Sequence, residues 1–101
     1  MTEPEANVRD LLNSQTGKLE WPELQRHFAR GVVIRVAPDL DLVETAAQMV
    51  EDDKEAIEAL TQSGKIARAS DEDARNWEAN NPLFWSVVVA PWVLVQEVEV
   101  R

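Results

Sequence analysis

Fourteen residues from Pro82 to Val95, PLFWSVVVAPWVLV, carry no charge and constrain this chain more than any other stretch. A membrane-spanning helix needs about 20 apolar residues. This run is shorter, and Pro91 would break a helix interior by removing an N–H and clashing with the preceding turn. The segment SVVVA is rich in β-branched side chains, which fit a pleated surface better than a helix. The run is therefore expected to be a buried strand, or two strands in line. It would form the longest strand of a sheet. Continuous apolar character from Leu83 to Val89 requires cover on both sheet faces. Pro91 cannot donate to a ladder, so an edge, bend or bulge is expected at Ala90–Pro91. Beyond Val95, Val98 and Val100 alternate with Glu97 and Glu99, so one face should meet water there.

The remainder of the chain decides what surrounds that run. A length of 101 residues fits one globular domain, 1–101. Nineteen acidic against ten basic side chains give a net charge of −9. Such a chain repels phosphate backbones and anionic lipid, and no Lys/Arg cluster offsets this, so neither nucleic acid nor a membrane is an expected partner. There are no cysteines, which removes disulfides, thiolate metal sites and cysteine nucleophiles. The opening MTEPEANVRD lacks the basic region and apolar core of a signal peptide, and a bacterial-type cytoplasmic protein is the simplest expectation.

Helices should alternate with short strands. Thr2 and Glu5 have capping-box spacing ahead of Val8, Leu11 and Leu12, and the stretch from Asn13 to Gly17 breaks this first helix. Pro22 suits the start of a second helix carrying Leu24 and Phe28 on one face, with Gly31 as its stop. Residues 32–37, VVIRVA, read as a strand ended by Pro38. Asp39 or Asp41 can cap the next helix, in which Leu40, Val43, Ala47 and Val50 recur at helical intervals beside Leu42, Ala46 and Met49. Asp53 and Gly64 bracket a further helix with Ile57 and Leu60 inward. A short strand at 65–69 follows. Ser70 and Asp73 then have capping-box spacing for a helix through Trp77 to about Asn80. Gly31, Val33 and Arg35 recur as Gly64, Ile66 and Arg68, a shift of 33 residues. Two similarly built supersecondary units account for this, because the signatures of solenoid repeats are absent.

The segments WPEL..HFARG, VVIRVAPDLDLVE, VEDD and FWSVVVAPWVLVQE resemble a family of small uncharacterised bacterial proteins, domain-of-unknown-function family 2288. The resemblance runs from Trp21 to Glu97. It implies a bacterial protein of unassigned function and transfers no catalytic residue.

Candidate chemistry is sparse. His27 is the only histidine, has no nucleophile motif near it in sequence, and reads as structural. One His and no Cys leave zinc without ligands other than carboxylates. Asp39, Asp41, Asp52 and Asp53 could offer oxygen ligands to a divalent cation, but the glycine and spacing of a calcium loop are missing. Helix capping accounts for Asp39, Asp41 and Asp53 without a metal. Four tryptophans, Trp21, Trp77, Trp85 and Trp92, are many for this length. Their size and single N–H suit both core and interface. Arg35 and Arg68 fall inside predicted strands, where a carboxylate should pair with each, or an anion could lie between them.

The expected architecture is α+β or α/β: three strands, 32–37, 65–69 and 84–98, covered by helices, with parallel pairs where helices connect successive strands. The preferred function is a non-catalytic interaction or binding module, with no cofactor and no metal. Its candidate binding residues are Trp21, Arg35, Asp39, Asp41 and Trp92. A homodimer or another protein partner would meet an exposed sheet edge near Pro91 and Trp92. The alternative is a small enzyme using carboxylates or Arg35 with a divalent metal, which would gather Arg35, Asp39 and Asp41 in one pocket.

Overall fold

The computed structural model describes residues 11–12 and 15–98. The proposed cap at Thr2 and Glu5 and the alternation at Glu99 and Val100 lie outside these residues. Among the described residues five strands and four helices follow in this order: β1 Gly17–Glu20, α1 Trp21–Ala29, β2 Val33–Val36, α2 Leu42–Val50, α3 Lys54–Gln62, β3 Ile66–Arg68, α4 Asp71–Asn80, β4 Leu83–Val89 and β5 Trp92–Glu97. The class is α+β, and the sheet order is β1-β4-β5-β2-β3.

Three expectations about the sheet are corrected. The sheet has five strands rather than three. The terminal run is not one long strand but a hairpin, reversed at Ala90–Pro91, whose peptide bond is cis. Proline stops the ladder there, and Val89 faces Trp92 across a two-residue connection. The added strand is β1, GKLE, which lies antiparallel to β4 with Leu19 opposite Phe84. Finally, β2 and β3 are antiparallel although helices connect them. Two helices in succession return the chain to the end of the sheet it left, where Ala37 N–H meets the Lys65 carbonyl at 2.8 Å. The parallel pair is β2 with β5.

Alternation along the strands divides the core in two. On one face Val36, Ile66, Val87 and Leu94 pack with Leu12 and with Leu42, Ala46 and Ala47 of α2. On the other, Val33, Phe84, Val93 and Val95 pack under Trp21 and Leu24 of α1 and Trp77 of α4. Both faces of the terminal run thus pack against helices, but the cover expected from its unbroken apolar sequence is incomplete: Trp85 and Val88, on opposite faces of β4, are 37% and 56% exposed. Burying Phe84 or Leu94, each with no exposed area, contributes about 1.5–3 kcal/mol.

Local chemistry sets the helix ends. Asp41 accepts from Glu44 N–H at 3.1 Å and Asp53 from Ala56 N–H at 3.3 Å, each filling an orphan donor of a first turn. Ser70 and Asp73 form the expected capping box, with bonds of 3.1 and 2.9 Å. Gly31 and Gly64 follow α1 and α3 at φ +76° and +79°. In α2 the buried residues are Leu42, Thr45, Ala46 and Ala47, whereas Val50 is 48% exposed, so the inward stripe is rotated from the one expected.

Candidate functional site

The charged candidates separate into local pairs. Arg35 projects toward α4, where its Nε lies 3.1 Å from Asp73. The register sets Arg35 opposite Ala67 and Ile34 opposite Arg68. The two arginines therefore occupy opposite faces of the sheet, and no anion pocket lies between them. Arg68 donates instead to the Gly31 carbonyl at 3.0 Å and stands 5.9 Å from the Trp92 ring centroid.

Asp39 does not cap α2; that role falls to Asp41. Asp39 forms an ion pair with Lys65 at the β3 end. The hydrogen bond from Lys65 holds the Asp39 carboxyl below its ordinary value, against a smaller opposing effect of burial. Among the described residues no group of three or more His, Asp and Glu side chains is placed to hold a metal ion.

The tryptophans fall into two sets. Trp21 and Trp77 are 5% and 3% exposed, and their rings meet tilted or edge-to-face in a cluster with Phe28 and Phe84. Their N–H groups are satisfied by carboxylates, Trp21 by Glu78 at 2.6 Å and Trp77 by Glu97 at 3.1 Å. Trp85 is 37% exposed, with the Lys18 ammonium 4.8 Å from its ring centroid. Trp92 is half-buried. Its strand, β5, is paired on both sides, by β4 and by β2, so the expected sheet edge at Trp92 does not exist.

What Trp92 meets is a groove. An open hollow of about 510 Å³ lies between the α2–α3 junction and the β4–β5 turn, lined by Met49, Asp52, Asp53, Lys54, Ile57, Glu58, Val89, Ala90 and Trp92. Met49, Ile57, Val89 and Trp92 also pack against the core, which fixes the floor from below. A second, shallower hollow of about 710 Å³ runs between α1 and α4 over Trp21, Phe28 and Ala74. Neither hollow is lined by Arg35, Asp39 or Asp41. Of the sequence candidates, Trp21 and Trp92 each reach a groove, but different ones. Met49, Ile57 and Glu58 were missed as site residues. No local signal marks them, because the groove arises where a helix junction meets a distant hairpin turn.

Among the described residues one strand end is also left unpaired. β1 stops at Gly17, opposite Ser86, so Val87 to Val89 of β4 run past it. Leu83 directs its carbonyl to Val98 in the β5 direction. By alternation Val88 directs its N–H and C=O away from β5, and its side chain is 56% exposed.

Comparison with known proteins places this arrangement. The family described as "Protein of unknown function (DUF2288)" matches residues 7–97. The solution structure of PA1075 from Pseudomonas aeruginosa is similar at 35% identity with a TM-score of 0.81, over 99% of this chain and 90% of that one. No curated protein matches.

Proposed function

The chain belongs to the DUF2288 family of proteins of unknown function, and for this member we propose a non-catalytic role, that of a protein-interaction module whose docking site is the Trp92 groove. The observation that carries this reading is an open hollow with an apolar floor built on core residues and a half-buried tryptophan in it. Such aromatic anchors dominate many interfaces. A floor fixed by the core costs little ordering on binding, which favours association. The strong negative charge supports a protein partner over nucleic acid or anionic lipid. No helix among the described residues is long and apolar enough to cross a membrane. The enzyme alternative has less behind it, because Arg35, Asp39 and Asp41 each serve a separate local contact.

Self-association is a second reading, favoured by the overhang at Val87–Val89. An unpaired strand end with an exposed valine is a template for pairing with another copy.

Affinity capture with the intact protein and with Ala90→Arg tests the docking site. Ala90 is exposed at the turn, so the variant fills the groove mouth without disturbing the core. A specific protein retained by the wild type and lost with Ala90→Arg supports the reading. An identical set of captured proteins contradicts it.

A further inference from the structure

Taking the Trp92 groove as a docking site, we infer that its occupant is a cationic, amphipathic peptide segment of a partner protein. Its apolar side chains would rest on Met49, Ile57 and Trp92, and its Lys or Arg side chains would face Asp52, Asp53 and Glu58. The groove joins these two chemistries in one place. Its floor is apolar, and its lining carries three carboxylates against one ammonium, Lys54. All four charged residues are exposed. Neither Asp52 nor Glu58 has an ion-pair partner among the described residues. One carboxylate oxygen of Asp53 accepts from Ala56 N–H at 3.3 Å in its capping role.

The end of α2 brings Asp52 to the groove mouth. Asp52 stands at φ +59° just past that helix, in the left-handed region. Left-handed positions also follow the other helices, at Gly31 after α1, Gly64 after α3 and Asn81 after α4. Glycine is the less strained choice there, yet a carboxylate stands at this groove mouth. The whole chain, at −9, extends the same field outward and would steer a basic segment toward it. An acidic segment would meet repulsion at the rim, and a purely basic one would leave the floor unused. The half-buried tryptophan also lies where an apolar side chain, rather than a charged one, would fill the hollow.

Three short synthetic peptides separate these terms: one alternating Leu and Lys on helical spacing, one with Leu and Glu, and one with Ser and Lys. Each is titrated into the isotope-labelled intact protein, with amide and indole N–H signals followed by NMR. The Leu/Lys peptide should shift the Trp92 indole and the amides of Ile57 and Glu58, and bind roughly tenfold or more tightly than either control, a difference of about 1.4 kcal/mol. Asp52→Asn with Glu58→Gln should weaken it several-fold. Neutralising Asp71 and Glu72 on α4, as Asn and Gln, should change little. Equal weakening by both double variants, shifts centred elsewhere, or equal binding of the Leu/Glu peptide overturns the proposal. If the peptides show no selectivity while Ala90→Arg still abolishes partner capture, the cationic occupant is wrong and the docking site stands. If the Leu/Lys peptide seats selectively while capture ignores Ala90→Arg, the groove chemistry is upheld and the docking reading fails.

Discussion

The indole N–H of Trp21 donates to a carboxylate oxygen of Glu78 at 2.6 Å, joining α1 to α4 across 57 residues of sequence. Gln25 donates to the same oxygen at 3.3 Å. The indole is 5% exposed and sits within the aromatic cluster. Its ring and its N–H should therefore be separable in energy. Trp21→Phe should keep most of the packing and lose the bond, costing about 1–2 kcal/mol. Trp21→Ala should cost about 3–5 kcal/mol. Urea unfolding of both variants measures the difference, and equal costs would deny the separation.

Asp41 and Asp39, two residues apart, should behave differently. Asp41→Ala removes the cap of α2 and should lower stability by about 1 kcal/mol, while Asp41→Asn should largely preserve it. Thermal melts should respond alike with and without millimolar Mg²⁺. Stabilisation of the wild type alone by the metal would contradict the capping role and favour the enzyme alternative.

The Asp39 carboxyl should titrate below the usual carboxylate range, because Lys65 stabilises its charged form. A depressed folded-state pKa makes this contribution present above the unfolded value and lost as pH falls through the folded one. NMR titration of the carboxyl carbon should show the depression in the wild type and its disappearance in Lys65→Met. An unchanged titration in the variant would remove Lys65 as the cause.

Truncation after Ala90 should abolish folding. It deletes β5, the central strand, and with it Val93, Leu94 and Val95, each 4% exposed or less. A truncated chain with native-like fluorescence and a cooperative melt would contradict this.

Much of this organisation is readable along the chain, and the exceptions have physical causes. The caps at Asp41, Asp53 and Ser70 and the stops at Gly31 and Gly64 are local devices, so residue type and spacing suffice to find them. β1 escapes such a reading. Its four residues GKLE hold no β-branched side chain, and its strand conformation comes from pairing with β4. The reversal at Ala90–Pro91 lacks the Asn-Gly or Asp-Gly pair that marks most tight hairpins, so only Pro91 signals it. The separation of Arg35 from Arg68 depends on strand register, which no repeat in the sequence reveals. The groove at Trp92 is more distant still. Tryptophan content points to Trp92, and helix capping to Asp53, but their meeting with Ile57 and Glu58 is a tertiary event.

Val88 tests self-association. If copies pair through the β4 overhang, the wild type should associate more tightly as salt rises, since screening beyond about 8 Å at physiological salt reduces repulsion between chains of charge −9. Val88→Lys should hold the protein monomeric, because a charge on a strand end opposes pairing. Sedimentation at low and high salt measures both. A wild type that stays monomeric at high protein concentration removes this second reading.

Docking at the Trp92 groove is tested most directly by placing a photoreactive amino acid at Lys54, on the groove, and separately at Glu72, on α4. Cross-linking in living cells followed by mass spectrometry then identifies what lies against each. A protein should be cross-linked from position 54, absent from position 72, and lost when Ala90→Arg fills the groove mouth. The same products from both positions, or none from position 54, would contradict docking there.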